Sequence, residues 1–128
     1  MRLEGGDWND GLDMADERGE SVAFTALYAG NLRQLAALVR TLAARGHVDI
    51  VLAAEIGRLL TPVDTNSIAD KLALLKTYFE SVQHTLSGDM MVVSAEQLAT
   101  DLDAKAASLV AHLRQQEWVE DAAGHGWY

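Results

Sequence analysis

Val48-Asp49-Ile50-Val51-Leu52-Ala53-Ala54-Glu55-Ile56-Gly57-Arg58-Leu59-Leu60 is the run whose reading sets the fold class. Val48, Val51, Leu52, Ile56, Leu59 and Leu60 recur at the intervals that line one side of a helix. Pro62, the sole proline, then stops a helix through its missing amide and fixed φ. The run is read as a helix ending just before that proline. Outward toward the N-terminus, Phe24, Leu27, Tyr28, Leu32, Leu35, Leu38, Val39 and Leu42 return every three or four residues, which predicts a long amphipathic helix ending near Gly46. Outward toward the C-terminus, Ile68, Leu72, Leu75, Phe79, Val82 and Leu86 keep a 4-3-4-3-4 rhythm. Asn66 or Ser67 is placed to cap that third helix, and Gly88 follows its end. Ser94 and Gln97 match the capping-box spacing S-x-x-Q, and Leu98, Leu102, Ala106, Leu109 and Leu113 form the stripe of a fourth helix reaching about residue 120. The intervening SGDMMVV, residues 87–93, is read as a loop with room for a short extended stretch.

With no competing strand pattern, long linker, repeat or low-complexity run, the expected class is all-α, about four helices around one core. An up-and-down bundle is the plainest architecture for such stripes. The ending Gly124-His125-Gly126-Trp127-Tyr128 sets two large aromatics after two glycines and reads as the start of a further element. The chain is therefore expected to be a piece of something larger.

The composition narrows the function. The chain has 128 residues, 49% hydrophobic and 23% charged, the balance of one ordinary globular domain. No apolar run approaches the roughly 20 residues of a membrane helix, and the N-terminus lacks the apolar core of a signal peptide, so a cytoplasmic home is expected. Ten basic residues are scattered among nineteen acidic ones, for a net charge of -9, which argues against nucleic acid as a partner. The absence of cysteine excludes disulfides, thiolate metal sites and a cysteine nucleophile. Chemistry must come from carboxylates, hydroxyls or imidazoles.

Acidic residues crowd the front of the chain, where GGDWNDGLDMADE (residues 5–17) spaces Asp7, Asp10, Asp13 and Asp16 three apart around Trp8. Three readings apply. A calcium loop starting at Asp7 would put Gly11 at the fifth position, where a ligand is needed, and Arg18 at the twelfth; starting one residue earlier puts Gly6 in the first ligand position. Counting thus argues against calcium, and no metal is expected. A solvated leader that favours the positive end of the following helix suits Asp16, Glu17 and Glu20, but gives Trp8 and the paired glycines nothing to do. A sugar site uses an aromatic face against a pyranose ring and a carboxyl that protonates the glycosidic oxygen. Trp8 and Asp10 are spaced to border one pocket, and like-charged Asp7 and Asp13 would help keep a carboxyl protonated.

The run RLEGGDWNDGLDMADERGES (residues 2–21), followed by a long helix and the closing GHGWY, resembles the catalytic domain of the inverting glycoside phosphorylases of glycoside hydrolase family 94. The group includes cellobiose, cellodextrin, chitobiose and laminaribiose phosphorylases and relatives acting on β-1,2-glucans. DWNDG-x-[DN] is the specific part of the match, and about residues 46–93 show no family signature. The resemblance implies that this chain is a partial segment of an (α/α)6 barrel, with residues 1–20 an active-site loop, 21–122 helices and 123–128 the start of a further motif. It implies that inorganic phosphate, as co-substrate and without any other cofactor, attacks the anomeric carbon of a disaccharide or oligosaccharide and releases an α-sugar 1-phosphate. The second aspartate of DWND is the family's general acid, which carries to Asp10, and its tryptophan lines the subsite of the transferred sugar, which carries to Trp8. Asp7, Asn9 and Asp13 are placed as neighbours that bond sugar hydroxyls or hold the loop, with turn or capping roles as the plain alternative.

Family members are several times longer, and their phosphate-binding residues fall outside the matched segment. A related inverting (α/α)6 hydrolase and a non-catalytic helical interaction module are the alternatives. The segment alone is expected to be inactive, and to repack as a bundle or self-associate through uncovered apolar stripes. His47, His84 and His112 read as surface or capping residues, and His125 stands apart within GHGWY. Met90 and Met91 read as packing, and Trp118 as core or an intramolecular contact.

Overall fold

The computed structural model describes residues 21–60 and 67–128. In chain order the elements are α1 (Val22–Ala44), β1 (Asp49–Ala53), α2 (Ala54–Leu60), α3 (Ile68–Val82), β2 (Met90–Ser94), α4 (Ala95–Gln116), β3 (Val119–Glu120) and β4 (Gly126–Trp127). The described residues are mostly helical, with four helices, three of them along predicted stripes and the second reduced to Ala54–Leu60. The all-α expectation is corrected by two small antiparallel sheets, β1 with β2 and β3 with β4.

Local chemistry explains the helix ends. Ser21 caps α1 by accepting from the Phe24 N–H at 3.1 Å, and Ser67, the second of the two predicted candidates, caps α3 by accepting from Asp70 at 3.2 Å. Asn66 lies outside the described residues. Ser94 caps α4 as its spacing predicts, accepting from the Gln97 N–H at 3.0 Å. The Gln97 side chain, however, donates forward to Asp101 Oδ1 at 2.8 Å, so the reciprocal half of a capping box is replaced by a bond one turn along the helix. At the end of α1, Gly46 takes φ 96 and His47 donates back to the Leu42 carbonyl. A side chain at that angle would be strained, which is why glycine stops the helix there.

α1 and α4 form the body of the molecule. Val39, Leu98 and Leu102 pack with Ala36, Ala95 and Ala99, and Leu32, Ala43, Ile50, Leu52 and Leu60 close the cluster's sides. Ala29, Ala36, Ala95, Ala99 and Ala106 are essentially inaccessible. Small side chains at the contact let two helix backbones approach closely, and Arg40 pairs with Asp103 across the rim. The Ala95 N–H donates to the Val48 carbonyl at 2.8 Å, tying the exit of α1 to the entrance of α4, so the two long helices run antiparallel.

The predicted helix over 48–60 is instead a strand followed by a seven-residue helix. Asp49 pairs with Ser94, Ile50 with Val93, Val51 with Val92, Leu52 with Met91 and Ala53 with Met90. Ile50 and Leu52 turn inward with Val93 and Met91, while Val51 and Val92 turn outward. That alternation is the two-residue period of a strand laid with one face on a core. Gly57 lies where α2 crosses the ribbon, and a Cβ there would make the end of the flexible Met91 side chain shift.

The third helix forms within its predicted limits but buries a different face. Its half-buried positions include Lys71, Leu74, Tyr78 and Val82, and it packs on α2. Ile68, Leu72, Leu75 and Phe79 of the predicted stripe are exposed. α4 ends at Gln116, short of residue 120, because the next residues enter β3.

Candidate functional site

Asp7, Trp8, Asn9, Asp10 and Asp13, the residues to which the sequence assigns chemistry, lie outside the described residues. Ser21 is where that leader joins the body. Because α1 and α4 are antiparallel and of nearly equal length, 23 and 22 residues, Ser21 shares one end of the pair with the exit of α4 and the hairpin 118–128 that follows it. The acidic leader and GHGWY, which carry the resemblance between them, thus connect to the body at the same end.

The hairpin is built by one carboxylate. Asp121 Oδ1 accepts from the N–H groups of Ala123 and His125, each at 2.9 Å, and Oδ2 lies 2.9 Å from His125 Nδ1. Asp121 also donates its own N–H to the His125 carbonyl, and its carbonyl accepts from Gly124, which turns at φ 83. These bonds fix a tight loop between β3 and β4. The His125 side chain, followed by its backbone N–H, holds the Asp121 carboxyl below its ordinary value. His125 is 77% exposed at the side chain, with Nδ1 engaged by Asp121.

Trp118 sits beside the loop with its ring against Gly126 and in a T-shaped contact with Tyr128, the ring centroids 5.0 Å apart and the planes at 72°. Its expected intramolecular contact is therefore with the hairpin. It is not core, since 46% of it is exposed. Trp127 crosses to Val119 on the opposite face. One turn before the hairpin, half-buried His112 places Nε2 4.0 Å from Glu117 Oε1. Its Nδ1 is buried without a hydrogen-bond partner.

A second polar cluster occupies the 48–93 part of the molecule. Glu55, 6% exposed, accepts through Oε1 from the Ser87 N–H at 2.8 Å and the Ser87 hydroxyl at 2.7 Å. The Ser87 hydroxyl bond, then the backbone bond, lowers the Glu55 pKa against the opposing effect of burial. This carboxylate pins the turn around Gly88, at φ 82, to the start of α2. Its Oε2 is buried and has no hydrogen-bond partner. Among the described residues no group of three His, Asp or Glu side chains converges as a metal site would require, and no helix is long and apolar enough to cross a membrane.

Glu55 and Asp121 are the residues that sequence reasoning passed over. Glu55 carried no signal, because its partner Ser87 lies across two helices. Asp121 and Gly126 carried one: an aspartate before a glycine-containing turn, with apolar residues alternating on both sides, is a hairpin pattern. Matched against known proteins, the chain fits no family model and no curated sequence.

Proposed function

We propose that this chain contributes to the catalytic domain of an inverting β-glycoside phosphorylase, a cytoplasmic enzyme in which it forms part of an (α/α)6 barrel. Asp10 acts as general acid and gives its proton to the glycosidic oxygen as the bond to the leaving sugar breaks. Trp8 lines the subsite of the transferred sugar, and Asp7 and Asn9 meet its hydroxyls. Inorganic phosphate forms the new bond at the anomeric carbon from the opposite face, giving an α-sugar 1-phosphate. Phosphate is already a nucleophile, so no second carboxylate is needed to activate water.

The observation that carries this reading is the antiparallel α1–α4 pair. It gives the acidic leader's point of attachment and the GHGWY hairpin one end of the molecule, although most of the chain separates them in sequence. The outer face of α1 adds support, because Leu27, Leu35 and Leu38 remain about half exposed opposite the face that meets α4. A helix apolar on both sides suits a position between other helices.

The test is formation of sugar 1-phosphate from β-linked glucosides by the natural protein that contains this chain, assayed with and without phosphate. Turnover without phosphate would favour the related (α/α)6 hydrolase. A non-catalytic interaction module is favoured by one observation, the exposed apolar stripe of α3, and would show no turnover in either assay. That stripe is also the surface through which self-association or a homodimer would form.

A further inference from the structure

The register that pairs Val119 with Trp127 and Glu120 with Gly126 sorts the hairpin into two faces. Alternation puts Trp118, Glu120, Gly126 and Tyr128 on one and Val119 and Trp127 on the other. On the first face the Trp118 indole rests on Gly126, where an added Cβ would overlap ring atoms Cζ2, Cε2 and Cη2. Tyr128 meets the same ring in a T-shaped contact, and the Asp121–His125 loop holds the strand beneath it. Even so, about half of Trp118 and of Tyr128 stays exposed. A half-exposed indole held by Gly126 and Tyr128 presents a surface whose conformational entropy is already lost on folding, so a ligand need not order it.

Glu120 is exposed on this same face and offers a charged acceptor there, its Oε1 toward the Gly124 turn. That combination suits a neutral ligand with an apolar side and hydroxyl donors. It disfavours an anion, through charge, and a wholly apolar peptide, because the carboxylate would lose water without gaining a donor. We infer that this face is a carbohydrate-contact platform, with the exposed part of Trp118 against a β-linked glucosyl ring while Glu120 and the Tyr128 hydroxyl bond sugar hydroxyls. The choice of sugar rests on the phosphorylase reading above.

The test is titration of the 128-residue chain with cellotetraose, followed by the indole N–H signals of its tryptophans. The Trp118 signal should shift saturably with a millimolar Kd. Trp118→Ala should weaken binding by about tenfold, whereas Trp127→Ala, on the opposite face, should leave Kd within about twofold. Because Trp118→Ala also removes hairpin packing, Glu120→Gln serves as the second variant; it keeps every aromatic contact and should weaken binding several-fold. Absence of a saturable shift, or an unchanged Kd in both Trp118→Ala and Glu120→Gln, would overturn the platform. The two readings fail separately. If the parent enzyme phosphorolyses glucosides but Trp118→Phe and Glu120→Gln leave its KM unchanged, the platform is wrong and the enzyme stands; if the chain binds cellotetraose through Trp118 and the parent shows no phosphorolysis, the reverse holds.

Discussion

The α1–α4 pair and the excursion between them, residues 48–93, are both rich in apolar residues and bury them very differently. Along the pair, Ala29, Ala36, Val39, Leu98, Leu102, Ala106 and Leu113 are buried. Along α3, no residue is, and Ile68, Leu72 and Phe79 each show more than half their surface to solvent. The difference lies in partners. α1 and α4 have each other over their full length, with small residues at the contact. α3 packs mainly on the seven-residue α2 among the described elements. A periodic stripe therefore specifies a helix, while burial of that stripe needs a second surface of matching length.

The comparison is broken or sharpened most strongly by Leu102→Ala. Leu102 is buried in the α1–α4 cluster, and its truncation should cost about 2–5 kcal/mol in urea unfolding. A cost near zero would mean that the pair is not the core. Next in size, Ser94→Ala removes the cap at the entrance of α4 and should cost about 1 kcal/mol, read as a lower urea midpoint at an unchanged slope.

A pH-dependent effect follows from Glu55. Its pKa is lowered in the folded chain, so its contribution to stability is present above the ordinary carboxylate range and is lost as pH falls through the lowered value. Glu55→Gln should therefore flatten the acid limb of a stability–pH profile, and a limb of unchanged slope would show that the Ser87 contacts do not form in solution. The smallest effect belongs to Phe79→Ala, expected within about 0.5 kcal/mol because the ring is exposed. A loss as large as that of Leu102→Ala would show the α3 stripe to be covered in solution, by self-association or another partner.

The legible parts of the fold are those decided by neighbours in sequence. The helices α1, α3 and α4, the buried stripe of α4 and the caps at Ser67 and Ser94 depend on residues three or four apart and are legible. The buried faces of α1 and α3 are not, since Leu27, Tyr28, Leu35 and Leu38 of the one predicted stripe and Ile68, Leu72, Leu75 and Phe79 of the other are exposed, while Thr25, Ala29 and Ala36 are buried. Residues 48–60 were misread because six of their apolar positions satisfy a helical template. The strand signal there is Ile50 and Leu52 pointing inward around Val51, and it becomes decisive only when Met90–Ser94 arrives from beyond α3 to pair with it. β-pairing of that kind is non-local, and the pattern of one strand alone does not supply it. The terminal hairpin was legible in its Asp121 and glycine turn but was absorbed into an overlong fourth helix. The candidate catalytic residues were named from Asp7–Asp10, outside the described residues, while the body shows where that leader attaches.

The central claim is that Asp10 is the general acid of a phosphate-dependent glycoside cleavage, and it is tested most directly by comparing the natural protein that contains this chain with its Asp10→Asn variant. Sugar 1-phosphate release from a β-linked disaccharide, measured with and without inorganic phosphate, is the readout. The account predicts that product forms only with phosphate and that the variant loses at least about a hundredfold in rate. An Asp10→Asn enzyme that releases sugar 1-phosphate at the unaltered rate would contradict it.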